Sequence, residues 1–328
     1  MMKAVYIREF TGAAGLEIAE VPRPGSPSGT EVLVRVRAAG LNRADLLQAK
    51  GLYPPPTGYS PNVPGLEFAG EVVEAGPEAA FKPGTRVFGI TAGEAQAEFV
   101  KVESTLAAPI PESLSFTDAA AVPEAFITAH DAIMSQAYLS AGETVLIHAV
   151  GSGVGLAALQ IAKAFGATVI GTSRTKAKLD ACKKYGLDHA IVTDGGPVFA
   201  DRVLEITDGQ GVNVILDLVG APYFEENLKA LAVNGRMLLV GLTGGRRADF
   251  DLGLALTKRA AIKGTVLRPR STAEKGEAVA AFTRDLLPMF ERGELKPVVD
   301  RVFPAGEAAA AYEYLASNES FGKVILEW

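Results

Sequence analysis

The stretch Ile147-His-Ala-Val-Gly-Ser-Gly-Val-Gly-Leu156 decides the fold, because it has the composition of a turn from a β-strand into an α-helix. Its glycines, Gly151, Gly153 and Gly155, follow the apolar run Thr144–His148 and precede a helical pattern of apolar residues. The spacing is G-x-G-x-G and not the strict G-x-G-x-x-G fingerprint of dinucleotide sites. Taken alone, the motif also fits a tight turn without a ligand.

On both sides of this turn, strands alternate with helices from about residue 123 to 266. The predicted strands are 144–148, 168–171, 190–192, 212–216, 236–240 and 261–266, and the predicted helices are 156–165, 176–185, 198–206 and 223–231. Such alternation predicts an α/β domain with a doubly wound parallel sheet that is covered on both faces. In that context the turn is predicted to hold a pyrophosphate at the helix N-terminus, through Gly151, Ser152, Gly153 and Val154.

The end of the second strand predicts the choice of cofactor. NAD sites commonly carry an acidic residue about 20 residues after the glycines, which binds the ribose hydroxyls. Here that region reads Gly171-Thr-Ser-Arg-Thr-Lys-Ala-Lys178, which has three cations and no acid. Ser173, Arg174 and Lys178 suit a 2′-phosphate, so NADPH is predicted over NADH. The alternative is a solvated basic helix start.

The flanks of the chain have a different texture. Residues 1–122 contain short strands separated by Pro-Gly turns, which predicts a small barrel or sandwich. After residue 267 a long helix over 273–291, a strand at 302–303, a helix over 306–316 and a last strand over 323–326 are predicted. Because this terminal segment has strands of its own, the sequence permits it to pair with the strands of residues 1–122 and complete the first domain.

Composition excludes several classes of protein. The chain has 328 residues and a net charge of −6, and no basic run offers a face for nucleic acid. Cys182 is the single cysteine, so neither an intrachain disulfide nor a Cys-rich zinc lobe is expected. The first residues lack the pattern of a signal peptide, and no apolar run reaches the ~20 residues of a membrane span. A cytoplasmic protein without a membrane partner is predicted.

Several motifs, in order along the chain, resemble the medium-chain dehydrogenase/reductase superfamily. They are Gly40–Gln48, Tyr53-Pro-Pro-Pro56, Gly65–Gly70, the glycine turn and Gly322–Leu326. The chain is most similar to the zinc-free, zeta-crystallin-like quinone oxidoreductase branch, and within it to the tumour-suppressor-inducible subgroup.

The resemblance implies a Rossmann domain inserted into a chaperonin-10-like β-barrel catalytic domain. Residues 1–122 with 267–328 would form the catalytic domain, and 123–266 the NADPH-binding domain. The resemblance also implies a homodimer, or a tetramer, and a cofactor in the cleft between the domains.

A metal site is not expected. Zinc-dependent relatives have a Cys where this chain has Asn42 and a His where it has Leu66, and neither residue here is a usual zinc ligand. The histidines His130, His148 and His189 do not form a close-spaced ligand set. His148 ends a buried strand and is predicted to be a core residue.

Three residues are predicted to be catalytic from the resemblance. Asn42 is placed near the nicotinamide and the acceptor, although its position also fits a helix N-cap. Tyr53 would line the acceptor site, or be an exposed loop aromatic. Thr128 matches a position that touches the nicotinamide, or is a helical Thr bonded back to a carbonyl.

Further cofactor contacts are expected just past the carboxyl ends of sheet strands, where open α/β sheets bind ligands. These residues are Val219, Gly241, Leu242, Val266, Leu267 and Arg268. Arg268 fits an ion pair between domains equally well.

The predicted function is metal-independent reduction of quinones by NADPH. A quinone accepts hydride readily, and hydrogen bonds to its oxygens stabilise the developing charge without a Lewis acid. Two alternatives stay open: reduction of enones or enoyl thioesters by NADPH, and an NADPH-binding structural or sensing protein with little catalysis.

Overall fold

Residues 1–328 are all described by the computed structural model, and they form fifteen β-strands and eleven α-helices. The strands are β1 (Met2–Ile7), β2 (Leu16–Val21), β3 (Glu31–Gly40), β4 (Glu67–Ala75), β5 (Arg86–Ile90), β6 (Phe99–Glu103), β7 (Ala107–Pro109), β8 (Thr144–Ile147), β9 (Thr168–Ser173), β10 (His189–Val192), β11 (Val212–Asp217), β12 (Leu231–Leu239), β13 (Ala261–Gly264), β14 (Val299–Pro304) and β15 (Lys323–Glu327). The helices are α1 (Arg43–Gln48), α2 (Phe116–Ala119), α3 (Pro123–His130), α4 (Gly153–Ala164), α5 (Lys176–Cys182), α6 (Ala200–Ile206), α7 (Phe224–Ala230), α8 (Leu252–Lys258), α9 (Thr272–Asp285), α10 (Leu287–Glu291) and α11 (Ala308–Ala316).

The chain divides into two units by its internal contacts. The first unit comprises Met1–Ile127 and Leu267–Trp328, and the second comprises Thr128–Val266. The division falls inside α3, which begins at Pro123 and ends at His130. None of the helices combines the length and the hydrophobicity that crossing a bilayer requires.

The second unit is built on a parallel sheet with the order β10-β9-β8-β11-β12-β13. Residues such as Leu146, Ile170, Ile215 and Met237 are fully buried between this sheet and its helices. The strands are apolar because helices cover the sheet, as is usual for parallel sheets. From β8 the chain continues outward to β9 and β10 on one side, and then crosses to β11, β12 and β13 on the other side. The strand order therefore reverses between β8 and β11, which is the doubly wound α/β fold predicted from the sequence.

The first unit contains a mostly antiparallel sheet with the order β14-β15-β3-β4-β5-β7, and β6 pairs with β3. A separate hairpin joins β1 to β2. The C-terminal strand β15 pairs with β3 antiparallel, with Ile325 opposite Gly40, so the end of the chain completes the unit that the N-terminus begins. Alternate residues of β3, Val32, Val34 and Val36, point into its apolar core.

Two details differ from the sequence prediction. The long helix predicted over 273–291 is two helices, because α9 ends at Asp285 and α10 begins at Leu287 with Pro288 in its first turn. Proline lacks the N–H that a continuous helix would need there. The helix α8 was not predicted; Asp251 starts it as N-cap, with Oδ1 accepting from the Leu254 N–H at 2.9 Å.

Candidate active site

Asn42 lies in a buried network of charged groups in the first unit. The Lys323 ammonium donates to Glu67 Oε1 at 2.6 Å, to Asn42 Oδ1 at 2.7 Å and to the Leu41 carbonyl at 2.7 Å. Asn42 Nδ2 donates in turn to Glu67 Oε1 at 2.9 Å. These bonds fix which side of the amide is oxygen and which is nitrogen. They leave the second N–H of Asn42 for another acceptor.

Glu67 is the centre of this network and has no exposed surface. Its second oxygen, Oε2, accepts from the Glu124 backbone N–H at 2.8 Å. A Cβ at Gly40 would lie 2.3 Å from Glu67 Oε1, so only glycine on β3 lets the carboxylate approach so closely. With Lys323, which is 5% exposed, the carboxylate forms a buried ion pair, and its oxygens together receive three donors.

Asp45 positions Asn42 through the backbone. Asn42 is the N-cap residue of α1, and its N–H donates to Asp45 Oδ2 at 2.7 Å, while the Gly65 N–H donates to Oδ1 at 3.2 Å. Burial raises the pKa of Asp45 to about 6, against the opposing effect of the Asn42 N–H and of nearby cations. The N-cap interpretation of Asn42 is confirmed, and its role beside the nicotinamide and the acceptor stays a prediction.

Arg268 anchors the loop that carries Tyr53. Its Nε donates to the Ala92 carbonyl at 2.8 Å, Nη1 to the Tyr53 carbonyl at 3.0 Å, and Nη2 to Gln48 Oε1. The guanidinium also lies 5.0 Å from the centre of the Tyr53 ring, and burial raises the pKa of that phenol. Arg268 is 4% exposed, so these contacts within the first unit occupy its side chain.

The glycine turn opens α4 in the second unit. Ser152 is the N-cap residue, and its Oγ accepts from the Gly155 N–H at 3.1 Å. A Cβ at Gly155 would lie 2.5 Å from the Ala149 carbonyl oxygen, so this glycine lets helix and strand pack closely. The N–H groups of Gly153 and Val154 have no partner within the helix. The turn therefore fits the pyrophosphate of a dinucleotide.

The end of β9 carries the cations predicted to bind a 2′-phosphate. Ser173 is 8% exposed, and its Oγ accepts from the Thr175 N–H at 3.4 Å. Asp180 forms ion pairs with Lys176 and with Lys183, with N–O distances of 2.5 and 2.8 Å. Arg174 is exposed and makes no ion pair, so its guanidinium is the one at this strand end that is available to an anion.

His148 belongs to a buried hydrogen-bonded chain under the carboxyl edge of the second sheet. Asp217 Oδ1 accepts from Val219 N–H at 2.7 Å, and its Oδ2 from Asn227 Nδ2 at 3.0 Å. Asn227 Oδ1 therefore accepts from His148 Nε2–H at 2.6 Å, and the Thr172 hydroxyl donates to Nδ1 at 2.8 Å. Burial lowers the pKa of His148, which is a core histidine as predicted. These hydrogen bonds link the carboxyl ends of β8, β9 and β11.

The other predicted residues lie in both units. In the second unit, Val219, Gly241, Leu242 and Val266 follow the carboxyl ends of β11, β12 and β13, the edge at which the glycine turn and Ser173 also lie. Thr128 is half-buried in α3. Leu267 belongs to the first unit with Asn42, Tyr53 and Arg268, and is 6% exposed.

The sequence analysis did not assign roles to Lys323, Glu67 or Glu124. The sequence held one signal for Lys323. A lysine at the start of the apolar strand 323–326 is buried only if its ammonium has a partner such as a carboxylate. Nothing in the sequence pairs it with Glu67, which is 256 residues away.

Comparisons with known proteins agree with this arrangement. A family model described as zinc-binding dehydrogenase matches residues 153–283, and one described as alcohol dehydrogenase GroES-like domain matches 28–130. The quinone oxidoreductase of Pseudomonas aeruginosa is 33% identical over 328 residues, which cover 99% of each chain. The chain also matches a phenolphthiocerol/phthiocerol polyketide synthase of Mycobacterium tuberculosis at 34% identity, but it spans only 14% of the length of that protein.

Solved structures give the same result. A mycobacterial protein complexed with NADPH has a TM-score of 0.90 at 29% identity, with 100% of both chains covered. The CurK enoyl reductase has a TM-score of 0.88 at 26% identity, with 99% of both covered. The chain thus belongs to the medium-chain dehydrogenase/reductase superfamily of oxidoreductases. Within that superfamily its curated relatives indicate the quinone oxidoreductase branch, as the sequence motifs predicted.

One matching family model is described as zinc-binding, but the residues of this chain do not suit a metal ion. Leu66 is 2% exposed and has no ligand atom in its side chain. The oxygens of Asn42 and Glu67 already hold the Lys323 ammonium, and a second cation among them would be repelled. No group of three His, Cys, Asp or Glu side chains is arranged to hold an ion. The residues present do not fit zinc.

Proposed function

We propose that the chain is a metal-independent NADPH:quinone oxidoreductase. The observation that carries the proposal is the Asn42 amide, which Lys323 and Glu67 hold in one orientation with one N–H left to donate. A pre-oriented donor stabilises negative charge that develops on a carbonyl oxygen during reduction. Quinones accept electrons readily, so such a donor suffices without a Lewis acid. Tyr53, fixed by Arg268, offers a flat aromatic surface for a flat acceptor.

NADPH, when bound, supplies the hydride for this reaction. We propose that the turn residues Gly151, Ser152, Gly153 and Val154 bind its pyrophosphate. Ser173, Arg174 and Lys178 would hold the 2′-phosphate. The nicotinamide half would contact Asn42, Thr128, Val219, Gly241, Leu242, Val266, Leu267 and Arg268. Because the Arg268 side chain is occupied within its own unit, we expect its contribution to come from the backbone.

Replacing Arg174 with alanine should weaken binding of NADPH selectively. A hydrogen bond to a charged group contributes about 1.5–3 kcal/mol, so the Kd for NADPH should rise about 10- to 100-fold while that for NADH changes little. Fluorescence titration with both cofactors measures this. Arg202→Ala, which removes an exposed arginine paired with Glu205 on α6, is the matched control. Equal losses for NADPH and NADH would contradict the assignment.

Replacing Asn42 with alanine should slow turnover far more than it weakens cofactor binding. Loss of one donor to a developing oxyanion typically costs about 10²–10³-fold in kcat. Steady-state rates with a saturating ortho-quinone, together with the Kd for NADPH, separate the two effects. A thermal melt shows whether the variant is folded. Wild-type kcat in a folded variant would remove Asn42 from the reaction.

The direct test of the proposed function is the initial rate of NADPH oxidation with an ortho-quinone. NADH serves as the second cofactor, and a metal chelator is present throughout. Fast turnover that prefers NADPH and ignores the chelator is the expected result. Binding of NADPH without turnover of any acceptor would instead favour the structural or sensing protein.

A second candidate, reduction of activated alkenes, is favoured by the similarity to the CurK enoyl reductase. An enone also develops negative charge on a carbonyl oxygen, so the Asn42 donor serves it equally well. Comparing kcat/KM for a simple enone and for the ortho-quinone discriminates the two. A larger value for the enone would move the assignment to this class.

The assembly and location of the protein are further parts of the proposal. The family resemblance favours a homodimer or a tetramer, and the single cysteine favours the cytoplasm. Light scattering coupled to size-exclusion chromatography measures the assembly.

A further inference from the structure

Three carboxyl groups belong to the Asn42 network, and two of them are committed to bonds. Glu67 receives the Lys323 ammonium, the Asn42 amide and the Glu124 N–H. Asp45 receives the N–H groups of Asn42 and Gly65. Both are fully buried. They act as fixed acceptors that hold the network in place.

The third carboxyl, that of Glu124, accepts no hydrogen bond from the protein and is half-buried at the start of α3. Five charged groups act on it: Glu67 of β4, Asp45 of α1, Lys323 of β15, Lys275 of α9 and the Arg268 guanidinium. The titratable Tyr53 phenol also interacts with it. Burial, followed by the charge of Glu67, raises the pKa of Glu124 to about 8. It is therefore mainly protonated at neutral pH and has a proton to give.

Glu124 and Asn42 are linked by one carboxylate. Glu67 Oε1 accepts from the Asn42 amide and Oε2 from the Glu124 backbone N–H. One carboxylate thus holds both the Asn42 amide and the first turn of α3, which begins beside Glu124. Lys275, which is only 4% exposed, has its pKa lowered by burial and faces the same carboxyl. The Glu124 carboxyl therefore lies among charged groups but forms no hydrogen bond with them.

We propose that Glu124 is the proton donor for reduction of the acceptor that Asn42 binds. The inference rests on the proposed quinone reductase function. NADPH, when bound, would supply a hydride, which is two electrons and one proton, and would become NADP⁺, while the quinone would become the hydroquinone monoanion. The O–H bond of Glu124 then breaks, and its proton forms a new O–H bond on the anionic oxygen to give the hydroquinone. The Glu124 carboxylate takes back a proton from water.

The variant Glu124→Gln tests this step because it keeps the shape and the backbone N–H but has no acidic proton. General acid catalysis contributes about 10²–10⁴-fold, and we expect kcat to fall by at least the lower figure. In the wild type kcat should fall as pH rises through about 8, because the acid must be protonated. That alkaline limb should be absent from the variant. Glu112→Gln, at an exposed glutamate of the same unit, is the matched control.

A second readout does not depend on turnover. Infrared difference spectroscopy of the protein between neutral and alkaline pH should show the C=O stretch of a protonated carboxyl that is present at neutral pH. The band should titrate away near pH 8. It should be missing from Glu124→Gln and unchanged in Glu112→Gln.

The outcomes separate the inference from the function beneath it. If the wild type reduces quinones and Glu124→Gln keeps both the rate and the pH profile, the inference is overturned and the function stands. If the infrared band is absent from the wild type, the inference is overturned whatever the rates. If the wild type binds NADPH but reduces no quinone while the band is present, it is the proposed function that fails, and the proton-donor role to quinones fails with it.

Discussion

Replacing Lys323 with methionine is expected to destabilise the first unit by about 3–5 kcal/mol, because the change leaves the buried Glu67 carboxylate without a counter-ion. The Glu67 carboxylate would keep its two N–H donors but lose the ammonium 2.6 Å away. Denaturant unfolding followed by circular dichroism measures the loss.

The control for this experiment is Lys101→Met, which breaks a partly exposed pair with Glu31. Pairs near the surface contribute about 1 kcal/mol or less, so the control should unfold almost as the wild type does. The double variant Glu67→Gln with Lys323→Met should recover part of the lost stability, because it buries no charge. Equal losses for Lys323→Met and Lys101→Met would show that the buried pair is not the basis of stability here.

Replacing Gly155 with alanine should disrupt the glycine turn. The added Cβ would lie 2.5 Å from the Ala149 carbonyl oxygen and 2.8 Å from Val150 Cα, and both are backbone atoms that cannot rotate away. Overpacking of this kind costs about 1–3 kcal/mol. If the turn binds the pyrophosphate, its displacement should weaken NADPH binding about 10- to 100-fold. Calorimetric titration of the variant with NADPH measures the effect.

Gly264→Ala is the matched control, because a Cβ at that position on β13 meets nothing within 4 Å. It should bind NADPH as the wild type does. Wild-type affinity in Gly155→Ala would mean that the turn is a structural βα connection and not the cofactor site, which is the alternative that the G-x-G-x-G spacing left open.

The parallel sheet was predictable because its signals are local. Each strand, such as 144–148 or 212–216, is a short apolar run, and three of the four predicted helices end at a glycine or a polar turn. The prediction was wrong where a local signal was given too little weight: Pro288 was included in one helix over 273–291, although the helix breaks at Leu286.

The candidate active site was predictable only in part. The motifs identified Asn42 and Tyr53, and both lie in or against the charged network. Its other members could not be inferred, because contacts between β4, β15 and the start of α3 depend on how distant strands pair. Arg268 shows the same limit: its position after β13 favoured a cofactor contact, whereas its side chain lies on Ala92, Tyr53 and Gln48.

The cation beside Asn42 is part of the polypeptide, and this has a consequence for where the protein can work. A metal ion can be removed by a chelator, exchanged for a competitor or lost when supply runs short, but the Lys323 ammonium cannot leave. The charge of this site is therefore the same in metal-poor and metal-rich surroundings. A single charge that is already paired with Glu67 polarises a bound carbonyl weakly. For the quinone reductase that we propose, independence from metal supply would thus come with a restriction to acceptors that are electron-poor on their own.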